Sequence, residues 1–422
     1  RPANLYPDFS FLPPPGDYEG RVFRLSQDYP AKPSGPDVLP AFLKVDFRKE
    51  WRRYIIEVRD YCFKDNVAGG NVEDDFQVAK SKPPYWFHMP WQHFSPMGRE
   101  GVHGLTKEAP IQPQQLAVSQ TASGQTYAVA FYNRSAAYTI GQTWPSKKPN
   151  LGDAQFQHGA VIFKLLFADI PTAQVPSLAT PLIWRAYITE TFASNTRVFK
   201  DLALIQMDIM VRDDQSPCGW VFGTFQYNGR RKGARPASWD NLVPVGLQWG
   251  NDPDITEHNV NLHPSKTIRN PKLRETIINE DDEELPPTHL GWNGRLNGPV
   301  DNSSSSCMSC HATAQMRQES ELGPMFKDNA PKPGSTEWMR WFKNYKCGSR
   351  FDAHVPSADF CLQLAISAKN YQAWMGESHG IHAGNYRYLA EKARRLKKAS
   401  QFTETIIESG KPVERPKQQR NF

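Results

Sequence analysis

The sequence has no long apolar segment and only a small excess of positive charge. Its longest apolar stretch covers residues 160–168 and is already interrupted by Lys164. A membrane-spanning helix needs roughly 18 apolar residues, so a transmembrane protein is excluded. The 50 basic and 44 acidic residues are spread along the 422 positions, which excludes the clustered basic surface of a nucleic-acid-binding protein. The 12 Trp, 15 Tyr and 23 Phe exclude a disordered chain.

Cysteine is also scarce, with six in the whole chain, but two of them form a specific motif. The segment Cys307-Met308-Ser309-Cys310-His311 has the C-x-x-C-H pattern of c-type haem attachment. Two thiols at this spacing can add to the two vinyl groups of one haem, and the next side chain then lies beneath the iron. A neutral imidazole is a good axial ligand there. The motif therefore predicts one covalently bound haem c, held by Cys307 and Cys310, with His311 as an iron ligand.

Two other interpretations of these thiols remain open. A zinc site would need Cys347 and Cys361 as further ligands, although these two are not spaced as a second C-x2-C pair. A redox-active dithiol would need a βαβ unit around the motif. The four other cysteines allow two disulfide bridges in three possible connectivities, of which Cys347–Cys361 with Cys62–Cys218 is the expected one, or four buried free thiols.

The cellular compartment follows from the same motif. Covalent haem attachment takes place outside the cytoplasm, where disulfides also persist. The chain starts at Arg1 rather than Met, as a processed protein would. We therefore expect a periplasmic or secreted protein whose signal peptide has been removed.

The distribution of turns and β-rich segments predicts the fold class. The 35 prolines and 28 glycines indicate short elements joined by many turns. Between residues 125 and 250, β-rich segments follow one another without long intervening helices, which favours an antiparallel sheet. We predict an α+β, mainly β fold in three parts: an N-terminal extension at 1–124 that packs on the haem domain, a β-sheet haem domain at 125–318, and a helical C-terminal extension at 319–422 with a basic tail.

The order of three segments resembles that of cytochrome P460 and the cytochromes c′-β. These β-sheet haem proteins carry an apolar G-x-V-x-V-K-E strand, then a W-x-F-x-x-F/Y strand, then the C-x-x-C-H motif. Here residues 159–164 read GAVIFK, residues 219–225 read GWVFGTF, and the motif follows at 307–311. The resemblance covers residues 125–318 and implies a P460-like antiparallel sheet with a redox or gas-binding haem.

Under this resemblance Lys164 matches the lysine that cross-links to the haem ring in cytochrome P460. On the residues alone, Lys164 shares a strand face with Ile162 and Leu166, and a lysine buried there would lose its proton more easily. A neutral amine beside a haem edge would be a nucleophile under oxidising conditions. The alternative is a structural lysine that pairs with Asp208 or extends to the sheet edge.

The second axial position of the iron decides among three functions. A methionine ligand, with Met316, Met325 and Met375 as candidates, would favour an electron-transfer cytochrome. An open position would allow P460-like oxidation of hydroxylamine or another small nitrogen compound. An open position with an apolar lining would instead favour binding of NO or CO without catalysis.

An aromatic segment that contains several histidines, residues 85–94, is the candidate for the wall of such an open position. His88, His93 and His103 are the candidate proton donors, with packing alone or a copper site as the alternatives. The basic residues within 386–398 would dock an acidic redox partner, if they are more than a solvated face. A redox partner protein and a small-molecule ligand are therefore the expected partners.

Overall fold

The computed structural model of the chain describes residues 17–35, 39–78, 85–92, 99–146, 148–190, 196–260, 263–317, 320–324 and 330–378. Its strands are β1 (Thr106–Ile111), β2 (Gly124–Tyr132), β3 (Val161–Asp169), β4 (Ile183–Thr189), β5 (Arg197–Arg212), β6 (Trp220–Tyr227), β7 (Leu242–Gln248) and β8 (Thr276–Ile278). They form one sheet in the order β1-β2-β3-β5-β6-β7-β8, with β4 paired to β5, and every pairing is antiparallel.

Helices are few beside this sheet. They are α1 (Trp51–Phe63), α2 (Arg134–Thr143), α3 (Cys307–His311), α4 (Thr336–Met339) and α5 (Leu362–Ser378). The α+β, mainly β class with an antiparallel sheet is therefore confirmed. None of the helices in the described part of the chain is both long and apolar enough to cross a membrane.

One face of the sheet packs against α1 and is apolar. The helix buries Tyr54, Ile55 and Val58, which the helical spacing of three to four residues brings to one side. Phe163 of β3 is fully buried in the same cluster and stacks on Phe131 of β2, with ring centroids 4.6 Å apart. The N-terminal region thus builds the core of this face, and β1, which lies within residues 1–124, pairs directly with β2.

The opposite face is covered by the C-terminal part of the chain. A second buried cluster joins Met210 and Phe222 of the sheet to Met308 of α3 and Leu364 of α5. In the described part of this region α5 is the long helix, α4 is a single turn, and residues 340–361 contain turns and bends but no helix. Its irregular chain carries buried polar groups that anchor it to the sheet. The basic segment 386–398 lies outside the described residues.

All six cysteines carry free thiols, so neither predicted disulfide is formed. Cys62 belongs to the α1-side cluster and Cys218 to the cluster on the opposite face, so the sheet separates them. Cys347 lies instead beside Cys218, to whose carbonyl oxygen its backbone N–H donates at 2.8 Å. Cys361 lies beside the hydroxyl of Tyr132.

Candidate functional site

The C-x-x-C-H segment forms α3 on the sheet face opposite α1. Its first turn is closed by a reciprocal capping pair, since Ser306 Oγ accepts from the backbone N–H of Ser309 and Ser309 Oγ accepts from that of Ser306. The backbone N–H of Met308 donates to Gln248 Oε1 of β7 at 3.1 Å, which ties the helix to the sheet. Cys307 and Cys310 remain half-buried on the same short helix.

His311 is held in one orientation by a backbone carbonyl. Its Nδ1 lies 2.7 Å from the carbonyl oxygen of Phe360, which can only accept, so Nδ1 carries the proton and Nε2 keeps its lone pair. Burial lowers the pKa of His311 to about 4, so the ring is neutral at physiological pH. The ring also packs on Phe222 of β6, with centroids 4.9 Å apart. A neutral imidazole with one nitrogen fixed and the other available has the form of a metal ligand.

The carbonyl that holds His311 belongs to a strained turn. Asp359 and Phe360 are consecutive non-glycine residues with φ of 48° and 64°, a region that costs such residues free energy. The turn is fixed by the buried Asp359 carboxylate, which accepts from Trp220 Nε1 at 3.0 Å and from the backbone N–H groups of Phe156 and Gly348 at 2.6 and 2.8 Å. The strain is therefore balanced by three hydrogen bonds that aim the Phe360 carbonyl at the imidazole.

Polar side chains cross the sheet beside α3. Lys164 of β3 lies directly opposite Asp208 of β5, and Asp208 lies opposite Thr224 of β6, so the three project from the same face. Thr224 Oγ1 donates to Asp208 Oδ1 at 3.1 Å and lies 3.9 Å from Cys307 Sγ. The polar row therefore reaches one of the two predicted haem-attachment sulfurs.

Lys164 forms an ion pair with Glu108 of β1, with Nζ and Oε2 3.8 Å apart. Burial alone would lower the pKa of Lys164, but the carboxylates of Glu108, Asp208 and Asp301 outweigh burial and raise it above its ordinary value. The expectation that this lysine loses its proton easily is therefore wrong: three acidic groups face it and keep it charged. The structural alternative named Asp208, which does lie opposite Lys164, while the Glu108 contact was not foreseen.

A second group of contacts joins two carboxylates. Gln206 Nε2 lies 2.8 and 2.9 Å from the two oxygens of Asp208 and 3.0 Å from Asp301 Oδ2. The backbone N–H of Gly298 also donates to Asp301 Oδ2, at 2.9 Å. A Cβ atom on Gly298 would lie only 2.0 Å from Gln206 Nε2, so a larger residue here would displace the amide that joins the two carboxylates.

The charged side chains beside α3 and its two thiols are partly exposed, although the residues around them are buried. Thr224 and Ser309 beside them are buried, whereas the following remain half-buried: Glu108, Lys164, Asp208, Asp301, Cys307, Cys310 and His311. Burial nevertheless is the largest influence on the pKa of each thiol, and it raises that of Cys310 to about 12. The charged groups of the sheet beside α3 thus keep some exposure, and so do both thiols and the imidazole.

The other interpretations of the thiols are not supported by this geometry. Among the described residues, no three His, Cys, Asp or Glu side chains come together as a metal site, and Cys347 and Cys361 have the separate surroundings given above. The zinc interpretation is therefore wrong. The redox-dithiol interpretation lacks its βαβ unit, since all strands of the described sheet precede the motif and pair in antiparallel fashion.

The candidate proton donors do not meet at α3. His88 is buried against Phe131, which projects from the α1 side of the sheet, and its Nδ1 accepts from the backbone N–H of Ser26 at 2.9 Å. Burial lowers its pKa well below the ordinary value. His103 stacks on Trp184 in the α1-side region and pairs with Glu73. Both histidines are thus packing residues of the opposite face, and His93 lies outside the described residues.

The methionine candidates are distributed differently. Met316 is fully buried in the same cluster as Met308, and its backbone is held by Pro356 and by Gln372 of α5. Met375 lies half-buried on α5. Met325 lies outside the described residues. Met316 and Met375 therefore stay candidates.

Comparisons of the chain with protein families, curated proteins and solved structures found no match.

Proposed function

We propose that the chain is a periplasmic, single-haem c-type redox protein. The observation that carries the proposal is the pairing of two free thiols on α3 with a neutral imidazole whose Nδ1–H is bound by the Phe360 carbonyl. Cys307 and Cys310 would hold the haem by thioether bonds, and His311 would be an axial ligand through Nε2. Bound there, the haem would supply a one-electron redox centre.

The sheet supports a P460-like arrangement of this site. The GAVIFK segment leads into β3, the GWVFGTF segment forms most of β6, and β5 lies between these two strands. Lys164 projects from the face on which α3 lies, close enough for Cys307 to raise its pKa and for its own charge to lower the pKa values of Cys310 and His311. The two segments that suggested the resemblance thus lie in strands β3 and β6, which are separated only by β5 in the sheet that α3 packs against.

The protein groups around α3 favour redox chemistry on a small polar molecule over gas binding. A gas-binding site would be lined by apolar groups. The sheet beside α3 instead carries four charged side chains, Lys164, Glu108, Asp208 and Asp301. These side chains can orient a polar substrate and hold or release a proton, while Phe222 and Phe360 shield the imidazole. Electron transfer without a substrate remains the second candidate, carried by the buried Met316.

The test is expression of the full chain in a periplasm with a cytochrome c maturation system. Intact mass and a denatured haem stain should report one covalent haem in the wild type. Cys307→Ala with Cys310→Ala should abolish it, and the matched control Cys62→Ala, a cysteine on the other face, should retain it. A wild-type chain that is folded and carries no haem would contradict the proposal.

The optical spectrum of the dithionite-reduced protein with and without carbon monoxide then separates the two candidates. A shift with carbon monoxide indicates an open axial position and favours substrate chemistry. An unchanged spectrum indicates a second protein ligand and favours electron transfer. If Met316→Ala or Met375→Ala then makes the spectrum sensitive to carbon monoxide, that methionine is the ligand.

A further inference from the structure

The carboxyl groups of Asp208 and Asp301 face each other across a single amide group. Gln206 Nε2 is within hydrogen-bond distance of both oxygens of Asp208 and of Asp301 Oδ2. An amide nitrogen has only two hydrogens, so it cannot satisfy three carboxylate oxygens at once. Two carboxylates that are bound by the same nitrogen also lie close enough for like-charge repulsion to oppose full ionisation.

We propose that Asp208 and Asp301 share one proton and form the proton-exchanging group of the α3 site. The inference deepens the proposed function and rests on it only for the coupling to the haem. When one electron from an added reductant enters the site, the pair would take up one proton from solvent, so the charges balance. On oxidation the same proton returns to solvent.

The groups around the pair fit this assignment. The titratable and charged groups that face it come from β1, β3, α3 and the 289–301 loop, and are Glu108, Lys164, Cys307, Cys310, His289 and His311, whose ring is neutral as described above. Burial raises the pKa of both thiols and lowers that of His289, so all three are neutral near pH 7. Burial, followed by the charge of Asp301, raises the pKa of Asp208 to about 7 despite the nearby Lys164.

A buried acceptor beside the pair provides a second observation. Gln226 lies opposite Gln206 on β6 and is therefore diagonal to Asp208 on the same face. Its side chain is 3% exposed, and Oε1 accepts no hydrogen bond from the described residues. An unsatisfied buried acceptor is costly, so a donor is expected here. A protonated carboxyl group is such a donor, whereas two ionised carboxylates offer none.

The pair is also directly connected to the haem-attachment helix. Asp208 accepts from Thr224 Oγ1, and Thr224 Oγ1 lies 3.9 Å from Cys307 Sγ. A change of one charge at Asp208 therefore occurs within two side-chain contacts of a predicted thioether. Because Asp208 is half-buried, this charge is less screened than one on the surface and acts more strongly on a redox centre.

The first test needs no haem chemistry. Infrared difference spectra of the full chain between pH 5 and pH 9 should contain one carboxylic-acid carbonyl band that disappears near pH 7. Asp208→Asn and Asp301→Asn should each remove or displace this band, because the proton is shared. Glu108→Gln and the exposed control Asp254→Asn should keep it. A band that persists in Asp208→Asn, or one that only Glu108→Gln removes, would overturn the assignment.

The second test uses the haem-loaded protein and measures its midpoint potential against pH. If one proton accompanies each electron, the midpoint potential falls by about 59 mV for each pH unit. The wild-type potential should therefore fall with nearly this slope near pH 7. Asp208→Asn should flatten the slope, and Asp254→Asn should not. A flat wild-type profile with the infrared band present would reject the coupling. A chain that binds no haem but keeps the band would reject the proposed function and leave the shared proton intact.

Discussion

The two faces of the same central strands differ sharply in chemistry. On β3, Phe163 and Leu165 project into the α1-side core, while Lys164 projects toward α3. On β5, Met207 projects to the first side and Asp208 to the second. Burial of aromatic and aliphatic groups stabilises the fold, whereas burial of charges opposes it. The face that carries the thermodynamic cost also carries the candidate site, as expected where function rather than stability determines the residues.

The largest effect should come from breaking the apolar face. Phe163→Ala removes a fully buried ring that stacks on Phe131 and meets Trp86 edge-on. We expect a loss of about 3–5 kcal/mol in the free energy of unfolding, because the cavity cannot fully collapse. Denaturant unfolding measures it. Phe163→Leu is the control and should lose much less; equal losses would contradict the packing argument.

A smaller loss should follow from removing the positive charge on the opposite face. Lys164→Met leaves Glu108, Asp208 and Asp301 without their cation, so we expect a loss of about 3 kcal/mol at pH 8. The loss should shrink at pH 5, where Asp208 binds a proton. Denaturant unfolding at both pH values provides the measurement, and Lys164→Arg should retain most of the stability. A pH-independent loss would mean that packing, not charge, is the cause.

Asp208→Asn should change how stability depends on pH. The folded-state pKa of about 7 lies above the unfolded value of 3.8, so the folded state holds the proton more tightly. The wild type therefore loses stability as pH rises from about 4 to about 7. If the whole pKa difference acted on stability, the free energy of unfolding would fall by about 4 kcal/mol over this range. Because Asp208 is partly exposed, we expect a fall of about 2 kcal/mol.

Between pH 4 and pH 7 the melting temperature of the wild type should therefore fall more steeply than that of Asp208→Asn. The two melting temperatures should converge near pH 4. The exposed control Asp254→Asn should follow the wild type. Parallel curves for Asp208→Asn and the wild type would contradict the raised pKa.

The smallest effect on stability should come from the turn that supports His311. Asp359→Asn replaces one carboxylate oxygen by a donor and so loses one of the three bonds at Asp359, a cost of about 1 kcal/mol. The local effect should be larger than the global one, because the Phe360 carbonyl is then less firmly held. Proton NMR of the His311 Nδ1–H should show faster exchange, while the imidazole of His88 should be unchanged. Unaltered exchange at His311 would mean that Asp359 does not position the carbonyl.

Strand alternation made much of the sheet predictable. In residues 204–212 the alternation assigns Met207 and Ile209 to one face and Gln206 and Asp208 to the other, as the register confirms. By contrast, β1 reads TKEAPI, with a proline, two charges and no alternation, so neither the strand nor its Glu108 was predicted. Its bulge between Lys107 and Pro110 is where Glu108 lies, and such an irregularity leaves no periodic signal.

The candidate site was predictable only where a local motif exists. The spacing of Cys307, Cys310 and His311 is readable from the chain, and α3 brings these residues together. Asp301 could be seen only as part of a polar loop, because its partner Gln206 lies 95 positions away. His88 of the aromatic segment packs on the α1 side, as the packing alternative has it, because composition indicates burial and carries no information about which side of a sheet a segment covers.

The strained turn at Asp359 has a consequence for the order in which the molecule is built. The hydrogen bonds of Asp359 to Phe156 and Trp220 join residues that are 203 and 139 positions apart in the sequence. The bond between Phe360 and His311 spans another 49 positions. Contacts of such long sequence separation are slow to form. The imidazole should therefore acquire its fixed orientation late in folding, after the sheet exists. During folding, the two thiols of α3 would therefore be accessible while the imidazole of His311 still turns freely, before the turn at Asp359 closes over it.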